Sequence, residues 1–508
     1  MSAKNLALAT TLGAPAPLWR FFAELSSIPR PSKKEDRVIT WLRAFVAARP
    51  VLTMRCDAVG NAVITRPGAL CGALAPPVIV QGHLDMVTQK TASSSHNFDV
   101  DPIELRLDGA WLKATDTTLG ADNGIGVAAA LALLDAPLEG EGAVPMPPLE
   151  CLFTVDEETG LTGAKSLDVA ALELSAATLI NLDTEEWGAV CVGCAGGGQA
   201  TTTLPLARDA AVESDAAATP FVLRVGGLLG GHSGVQIHED RANALVLLAR
   251  VLAELRAATP ALQLVSIEGG DKHNAIPRDS SAVVRLPSAA AAAALEPRIA
   301  ALRDALAAEY QLDAPTMTLR LEPCDAASLA PLREADATRL LSFLRLIPVG
   351  ALKKSHALPG VVETSNSLAI VRVGATAAVV TTSTRSSVAA ALDDVRGRIA
   401  ALAALCGGDI ELVPSYPGWN PAPDSPLLAI VQSCAREVLG KDAAVEAIHA
   451  GLECGLLLEK LPWDTDAISF GPTIVNAHSP KESCEVATVE PFWRLLTLTL
   501  AKLAEARA

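Results

Sequence analysis

The segment Val78-Ile79-Val80-Gln81-Gly82-His83-Leu84-Asp85 joins an apolar run typical of a buried β-strand to two side chains that can bind a metal or a proton. The same arrangement recurs where residues 152–155 precede Asp156-Glu157-Glu158-Thr159-Gly160 and where residues 179–182 precede Asp183. Ligands of open α/β sheets bind outside the carboxyl ends of the strands. The pattern therefore predicts an α/β metalloenzyme with its site at one edge of the sheet.

The length and composition of the chain set limits on its class. It has 508 residues, half of them apolar, which is enough chain for two or three domains. The net charge of −16 argues against a nucleic-acid partner, because binding to phosphates requires clustered Lys and Arg. No apolar run approaches the ~20 residues that cross a bilayer, and the ten cysteines form no compact disulfide framework. We therefore expect a cytoplasmic protein with free thiols and no membrane or nucleic-acid partner.

The order of the predicted elements indicates two domains. Strands alternate with helices up to Asp183, with helices predicted at residues 126–134 and 166–174, as in a doubly wound sheet. Two further αβ units follow the run Gly196-Gly197-Gly198, which is a plausible hinge. The predicted fold class is α/β, a mostly parallel mixed sheet with flanking helices plus an inserted α+β lid domain. The predicted boundaries are 1–195 and 409–508 for the catalytic domain and 196–408 for the lid.

Histidines and carboxylates placed together indicate the kind of metal. The chain has only eight histidines, yet His83 and His478 both lie at strand or loop ends that we expect to be near carboxylates. Imidazole and carboxylate ligands with few thiols suit Zn²⁺, Co²⁺ or Mn²⁺. Asp85 follows His83 by two residues, so it can accept the imidazole N–H and fix the tautomer.

Two further acidic elements have both a structural and a functional interpretation. The neighbours Glu157 and Glu158 point to different sides, so one can bind metal while the other accepts a proton from water, although such a pair is often a solvated surface. Asp122 lies between glycines, where it can also be a turn residue or a helix N-cap.

The ordered series of these motifs resembles the co-catalytic di-zinc exopeptidases that include glutamate carboxypeptidase and carnosinase. The similarity is greatest to the bacterial aminoacyl-histidine (Xaa-His) dipeptidases, and it covers nearly the whole chain. The matching segments are Gly82-His83-Leu84-Asp85, Gly120-Ala121-Asp122-Asn123-Gly124, Asp156-Glu157-Glu158-Thr159-Gly160, Asn181-Leu182-Asp183, residues 192–197, Gly230-Gly231-His232-Ser233-Gly234, residues 449–455 and Ala477-His478-Ser479.

The resemblance implies a role for each matching residue. Asp122 would bridge two divalent metal ions, most simply Zn²⁺, with His83 and Asp183 completing one site and Glu158 and His478 the other. Glu157 would be the general base. His232 would act from the lid on the oxyanion of the transition state, within its own chain or in a partner of a homodimer; a simple turn is the structural alternative.

Four other residues are candidates for binding substrate. Asn274 resembles the lid asparagine of the family, and His449 and Glu453 lie in a segment that resembles a loop facing the substrate. Arg385 follows the strand predicted at residues 377–382 and is the candidate partner of a substrate carboxylate, because a guanidinium group binds a carboxylate bidentately.

The sequence therefore predicts a metal-dependent hydrolase that cleaves the peptide bond of unblocked dipeptides, with Xaa-His dipeptides as leading substrates by resemblance. Two alternatives stay open. One is an amidohydrolase of the same fold that acts on N-acyl amino acids, and the other is a binding protein that kept the fold and lost the activity.

Overall fold

The computed structural model describes residues 2–209, 219–311, 316–325 and 330–505. The chain divides into two compact units. The first unit comprises Met1–Cys194, Trp419–Ala447 and Leu452–Ala508, and the second comprises Ala195–Gly418 and Ile448–Gly451. None of the helices in these described ranges is both long and apolar enough to cross a membrane.

The first unit is built on an eight-stranded mixed sheet. Its four central strands run parallel, so their carboxyl ends lie at the same edge. The pairings of Thr53–Cys56 with Ala62–Arg66, of Ala62–Arg66 with Leu149–Thr154 and of Asp466–Ser469 with Ala189–Cys194 are antiparallel. In their order across the sheet, the strands are Thr53–Cys56, Ala62–Arg66, Leu149–Thr154, Val78–His83, Thr178–Asn181, Asp466–Ser469, Ala189–Cys194 and Ala444–Ile448. A smaller antiparallel sheet consists of Ile474–Val475, Ser483–Glu485, Trp111–Ala114 and Leu105–Asp108.

Helices cover this sheet. The helix Ala121–Asp135 is buried along nearly its whole length and packs against the strand Val78–His83 and the helix Ala16–Leu25. Because it is apolar all round, its sequence lacks an amphipathic stripe. The α-helices of the unit are Ala3–Ala9, Ala16–Leu25, Asp36–Ala47, Ala121–Asp135, Thr162–Lys165, Val169–Leu172, Pro426–Leu439, Glu453–Lys460 and Val486–Ala504, and Leu70–Leu74 is a 3₁₀ helix.

The prediction of a single helix at residues 166–174 is wrong. The structure has two single-turn helices there, Thr162–Lys165 and Val169–Leu172. Asp168 caps the second helix by accepting a hydrogen bond from the backbone N–H of Ala171, and Glu173 ends it in a left-handed conformation. The cap at Asp168 and the left-handed Glu173 limit this helix to one turn, so the apolar pattern of residues 166–174 does not form one continuous helix.

The second unit contains an antiparallel nine-stranded sheet with helices packed on its apolar core. The core strands bury alternate side chains, as in Ser280–Leu286, which explains their period of two in the sequence. The strands are Thr318–Pro323, Thr219–Gly226, Ser280–Leu286, Gln263–Gly269, Val362–Val373, Ala377–Ser386, Gly196–Pro205 and Asp409–Leu412 in spatial order, with Gly350–Lys354 pairing beside Val362–Val373. The helices are Ala244–Ala258, Ala289–Glu309, Glu334–Leu346 and Ala389–Leu405, with the 3₁₀ helix Ile237–Glu239.

The predicted fold class is confirmed, but the domain bounds differ from the prediction, because the second unit begins at Ala195, extends past residue 408 and also includes Ile448–Gly451. We predicted that the first fold resumes at residue 409, but the strand Asp409–Leu412 pairs with Gly196–Pro205 in the sheet of the second unit. The second unit therefore continues to Gly418. A short strand of alternating polarity fits either sheet by its sequence, and only its pairing assigns it.

Candidate metal centre

Three of the predicted ligand segments meet at one edge of the first sheet. The strand Val78–His83 pairs in parallel with Leu149–Thr154 on one side, where His83 lies opposite Thr154, and with Thr178–Asn181 on the other. His83, the Glu157-Glu158 pair and Asp183 therefore follow the carboxyl ends of three adjacent parallel strands, as the sequence predicted.

Asp122 lies between the two predicted metal sites. Its Oδ1 is 3.1 Å from Nε2 of His83, and its Oδ2 is 3.1 Å from Nε2 of His478. Asp122 has non-helical backbone angles (φ −78°, ψ 113°) although it lies in the first turn of the helix Ala121–Asp135. One carboxylate thus faces an imidazole on each side.

Two more carboxylates complete the surroundings of these imidazoles. Oδ1 of Asp183 lies 3.5 Å from Nε2 of His83, and Oε2 of Glu158 lies 2.9 Å from Nε2 of His478. Among the residues that the structure describes, three groups have all their ligand atoms within 4.8 Å of one another. They are His83 with Asp122 and Asp183, Asp122 with Glu158 and His478, and His83 with Glu157 and Glu158.

The hydrogen bonds of His83 show that its Nε2 is suited to bind a cation. Nδ1 of His83 lies 3.2 Å from the backbone carbonyl oxygen of Asp85, which can only accept, so Nδ1 carries the proton in the neutral ring. Nε2 then presents a lone pair toward the oxygens of Asp122 and Asp183. In this neutral form the imidazole and the two carboxylates can together bind a positive ion.

Asp85 lies behind His83, with its Oδ1 3.4 Å from Nδ1 of His83. Its carboxylate accepts hydrogen bonds from Oγ of Ser32 at 2.7 Å and from the backbone N–H groups of Glu157 and Glu158 at 3.0 and 3.3 Å. Burial opposes its ionisation, but the contacts with His83, Ser32 and the Glu157 N–H hold the pKa of Asp85 at about 2. Asp85 therefore fixes both His83 and the loop that carries the two glutamates.

Burial disfavours the ionised form of several acidic residues of the site. Burial raises the pKa of Asp183 to about 6 despite the nearby His83, and it raises the pKa of Glu157 and Glu158. Within the described chain, Oε1 of Glu158 and Oδ1 of Asp183 are buried without a hydrogen-bond partner. Buried charges are normally paired or coordinate a metal. Two divalent cations would supply the missing partners, so the residues fit a dinuclear metal site.

Three residues close to the site were missed by the sequence reading. Glu482 accepts hydrogen bonds from the backbone before Asp122, Arg30 donates to the carbonyl of Gly120, and Glu185 has its Oε1 buried and unpartnered. Burial and the nearby carboxylates of Asp122 and Asp183 raise the pKa of Glu185 to about 9. The only sequence signal was proximity: Glu482 follows His478 by four residues, and Glu185 follows Asp183 by two.

The second unit holds His232 in a defined tautomer. The backbone N–H groups of Gly234 and Val235 donate to Nδ1 of His232 at 3.1 and 3.0 Å, so the ring proton is on Nε2. Burial and the nearby Arg385 lower the pKa of His232 to about 4, which keeps the ring neutral. The strand Gly231–His232 pairs with Ala275–Ile276, which follows Asn274, so the structure brings His232 and Asn274 together.

Arg385 and His449 are also neighbours in the second unit. Arg385 is 7% exposed, and its Nη1 donates to the hydroxyl of Tyr416 at 3.2 Å. Its Nε is buried without a hydrogen-bond partner, and no carboxylate among the described residues forms an ion pair with it. Nε2 of His449 lies 2.7 Å from Oγ of Ser365, and burial with the nearby Arg385 lowers the pKa of His449 to about 3. The cluster is a buried cation with neutral neighbours, which is suited to an anionic group.

Glu453 belongs to the first unit. Its side chain is fully buried, and Oε2 accepts hydrogen bonds of 2.6 Å from both Nε2 of Gln81 and Oγ1 of Thr154. Burial raises the pKa of Glu453 to about 7, although His83 opposes the shift. The structure therefore separates Glu453 and His449, close in sequence, into different units.

Comparisons with known proteins identify the family of this chain. Residues 79–502 match the model of peptidase family M20/M25/M40. The cytosol non-specific dipeptidase of Escherichia coli strain K12 is 36% identical over 490 residues, which are 96% of this chain and 98% of that protein. The structure of an aminoacylhistidine dipeptidase from Vibrio alginolyticus is similar with a TM-score of 0.85 and 36% identity, covering 96% of this chain and 97% of the other. A tripeptidase from Staphylococcus aureus shares the fold alone, with a TM-score of 0.53 and 14% identity over 96% and 98% of the two chains.

The fold and the site define an enzyme, a metal-dependent hydrolase of peptide bonds. The chain belongs to peptidase family M20/M25/M40. The family resemblance inferred from the ordered motifs is therefore confirmed, and the interpretation as a non-catalytic binding protein is set aside.

Proposed function

We propose that this protein hydrolyses the peptide bond of unblocked dipeptides at a centre of two divalent metal ions. The observation that carries the proposal is the carboxylate of Asp122, whose two oxygens each lie 3.1 Å from the Nε2 of a different histidine, His83 or His478. The two relatives that match nearly the whole chain are named as dipeptidases, which supports the same substrate class.

The ligands divide into two sets that share Asp122. His83 and Asp183 would hold one ion, and Glu158 and His478 would hold the other. Zinc is our proposal for the native metal, because imidazole and carboxylate are its common ligands in catalytic sites. Ions held there would supply Lewis-acid chemistry, polarising the scissile carbonyl and lowering the pKa of water. The cytoplasm is the proposed location, by analogy with the relative that is named for the cytosol.

Glu157 moves the proton. Its carboxylate lies beside His83 and Glu158, and its burial raises its pKa, so it is a base whose conjugate acid can also donate. Glu157 accepts the proton of the attacking water and delivers it to the leaving amine nitrogen. Asp85 orients His83 and binds the backbone N–H groups of both glutamates, which keeps the base and the ligand in fixed relative positions.

His232 donates its Nε2–H to the oxyanion of the transition state. The two backbone N–H groups on Nδ1 fix the tautomer, and the lowered pKa keeps the ring from gaining a second proton. His232→Ala is therefore expected to lower kcat by ~10²-fold, with a much smaller change in KM. Steady-state kinetics with metal analysis checks this. Unchanged kcat with a raised KM would show that His232 only binds substrate.

Arg385 pairs with the terminal carboxylate of the dipeptide, and Asn274 and His449 complete the binding of substrate. Amidation of that carboxylate is expected to lower kcat/KM by ~10²-fold, because the buried guanidinium loses its anion. Arg385→Ala should remove most of the difference between acid and amide. Lys354→Ala, which removes an exposed cation of the same unit, is the control and should preserve it. Rapid cleavage of the amide by the unchanged protein would contradict this role.

A panel of substrates tests the proposed function directly. Xaa-His dipeptides, other dipeptides, tripeptides and N-acetyl amino acids are compared at equal metal loading. We expect dipeptides to have the highest kcat/KM and Xaa-His to lead among them. The alternative of an amidohydrolase of the same fold predicts that the N-acetyl amino acids are preferred. Glu453 is also proposed to bind substrate. The variant Glu453→Gln, assayed on the same panel of substrates, tests this role.

A further inference from the structure

The backbone that leads into Asp122 is held by one buried carboxylate. Glu482 accepts four backbone hydrogen bonds: Oε2 from Leu119 and Gly120 at 2.7 and 3.0 Å, and Oε1 from Ala121 and Asp122 at 2.7 and 3.3 Å. The Glu482 residue is 3% exposed. Both of its carboxylate oxygens are thus used on four consecutive residues.

Arg30 holds the same backbone from the carbonyl side. Its Nη2 donates to the carbonyl oxygen of Gly120 at 2.6 Å, and its Nη1 donates to the carbonyl oxygens of Leu84 and Asp85 at 2.9 and 3.0 Å. Gly120 has φ +70°, and a Cβ there would lie 2.7 Å from Nη2 of Arg30. The peptide groups of Gly120 are therefore bound through both N–H and C=O, and Arg30 also links them to the segment after His83.

Glu482 is close in sequence to His478, a predicted ligand of the metal site that also includes Glu158. Glu482 follows His478 by four residues, in the segment between the strands Ile474–Val475 and Ser483–Glu485. His478 has φ +62°, a conformation that only a well-determined loop maintains in a non-glycine residue. Burying a carboxylate is costly unless hydrogen bonds compensate for the lost water, and here four backbone donors do so.

We propose that Glu482 is a positioning residue for Asp122, which sets the direction of its carboxylate and thereby the affinity of both metal sites, with Arg30 completing the restraint. Without this carboxylate, the four N–H groups before and at Asp122 would be free to turn toward other acceptors. The bridging oxygens would then no longer face His83 and His478 together. The inference rests on the proposed role of Asp122 as the shared metal ligand.

The variant Glu482→Gln tests the inference through metal affinity. Glutamine keeps the size of the side chain but places an NH₂ donor against backbone N–H donors. We expect the affinity for metal, measured by competition with a chromophoric chelator, to fall ~10- to 100-fold, the usual effect of losing a residue that orients a ligand. Glu490→Gln, an exposed glutamate on the helix Val486–Ala504, is the matched control and should bind metal as the unchanged protein does.

A double-mutant cycle with Asp122→Asn separates positioning from a general effect on stability. If Glu482 acts through Asp122, the loss from Glu482→Gln should shrink to near zero once Asp122 is already Asn. Additive losses in the double variant, or normal metal affinity in Glu482→Gln, would overturn the inference. Normal affinity in Asp122→Asn would instead contradict the proposed function. If Glu482→Gln does not fold, Glu482→Asp, which keeps the charge and shortens the reach, takes its place in the cycle.

Discussion

Removal of metal is expected to abolish dipeptide hydrolysis, and Zn²⁺, Co²⁺ or Mn²⁺ is expected to restore it. The reason lies in the surroundings of Asp122, whose oxygens face two imidazoles while Asp183 and Glu158 add further acceptors. None of these side chains can act as a Lewis acid that polarises a peptide carbonyl, as a metal ion can. Dialysis against a chelator, followed by an activity assay and elemental analysis of the same sample, makes the measurement.

Two controls are needed to interpret this experiment. Circular dichroism of the metal-free protein establishes that the fold persists, and chelator saturated with metal beforehand establishes that the chelator itself does not inhibit. Full turnover in protein that elemental analysis finds free of metal would refute the proposed mechanism.

Glu157→Gln is expected to lower kcat by ~10²- to 10⁴-fold while the bound metal stays near that of the unchanged protein. Glutamine has almost the size of glutamate but cannot accept the proton of the attacking water. Glu157 and Glu158 both lie within 4.8 Å of His83. The result therefore depends on which of the two is the base and which is the metal ligand.

Glu158→Gln is the matched comparison for this prediction. Oε2 of Glu158 lies 2.9 Å from His478, so this variant should lose metal affinity as well as activity. If Glu157→Gln lost metal and Glu158→Gln kept it, the roles of base and ligand would have to be exchanged.

The fold of the first unit and the candidate metal ligands could be predicted because these residues lie next to local sequence patterns. His83, Glu158 and Asp183 each follow an apolar strand, and parallel pairing brings the ends of such strands to one edge. The helix predicted at residues 126–134 lies within Ala121–Asp135, since glycine and acidic residues mark its start. The boundary at residue 409 failed because a four-residue strand carries too little pattern to identify its sheet.

The residues that orient the ligands were less accessible to sequence reasoning. Glu482 and Arg30 act on backbone atoms of segments that are 54 or more positions away in the chain, and a backbone contact leaves no complementary residue type to recognise. Asp85 was found because it follows His83 by two residues on the same strand end. Local spacing is visible in a single sequence, whereas long-range hydrogen bonds to the main chain are not.

The most direct test of the account is the number and position of the metal ions. A crystal structure of the zinc-loaded protein, with anomalous data at the zinc edge, should contain two ions about 3.5–4 Å apart with one oxygen of Asp122 on each. His83 and Asp183 should bind the first ion, and Glu158 and His478 the second. A single ion at full zinc saturation, or two ions that Asp122 does not bridge, would contradict the account.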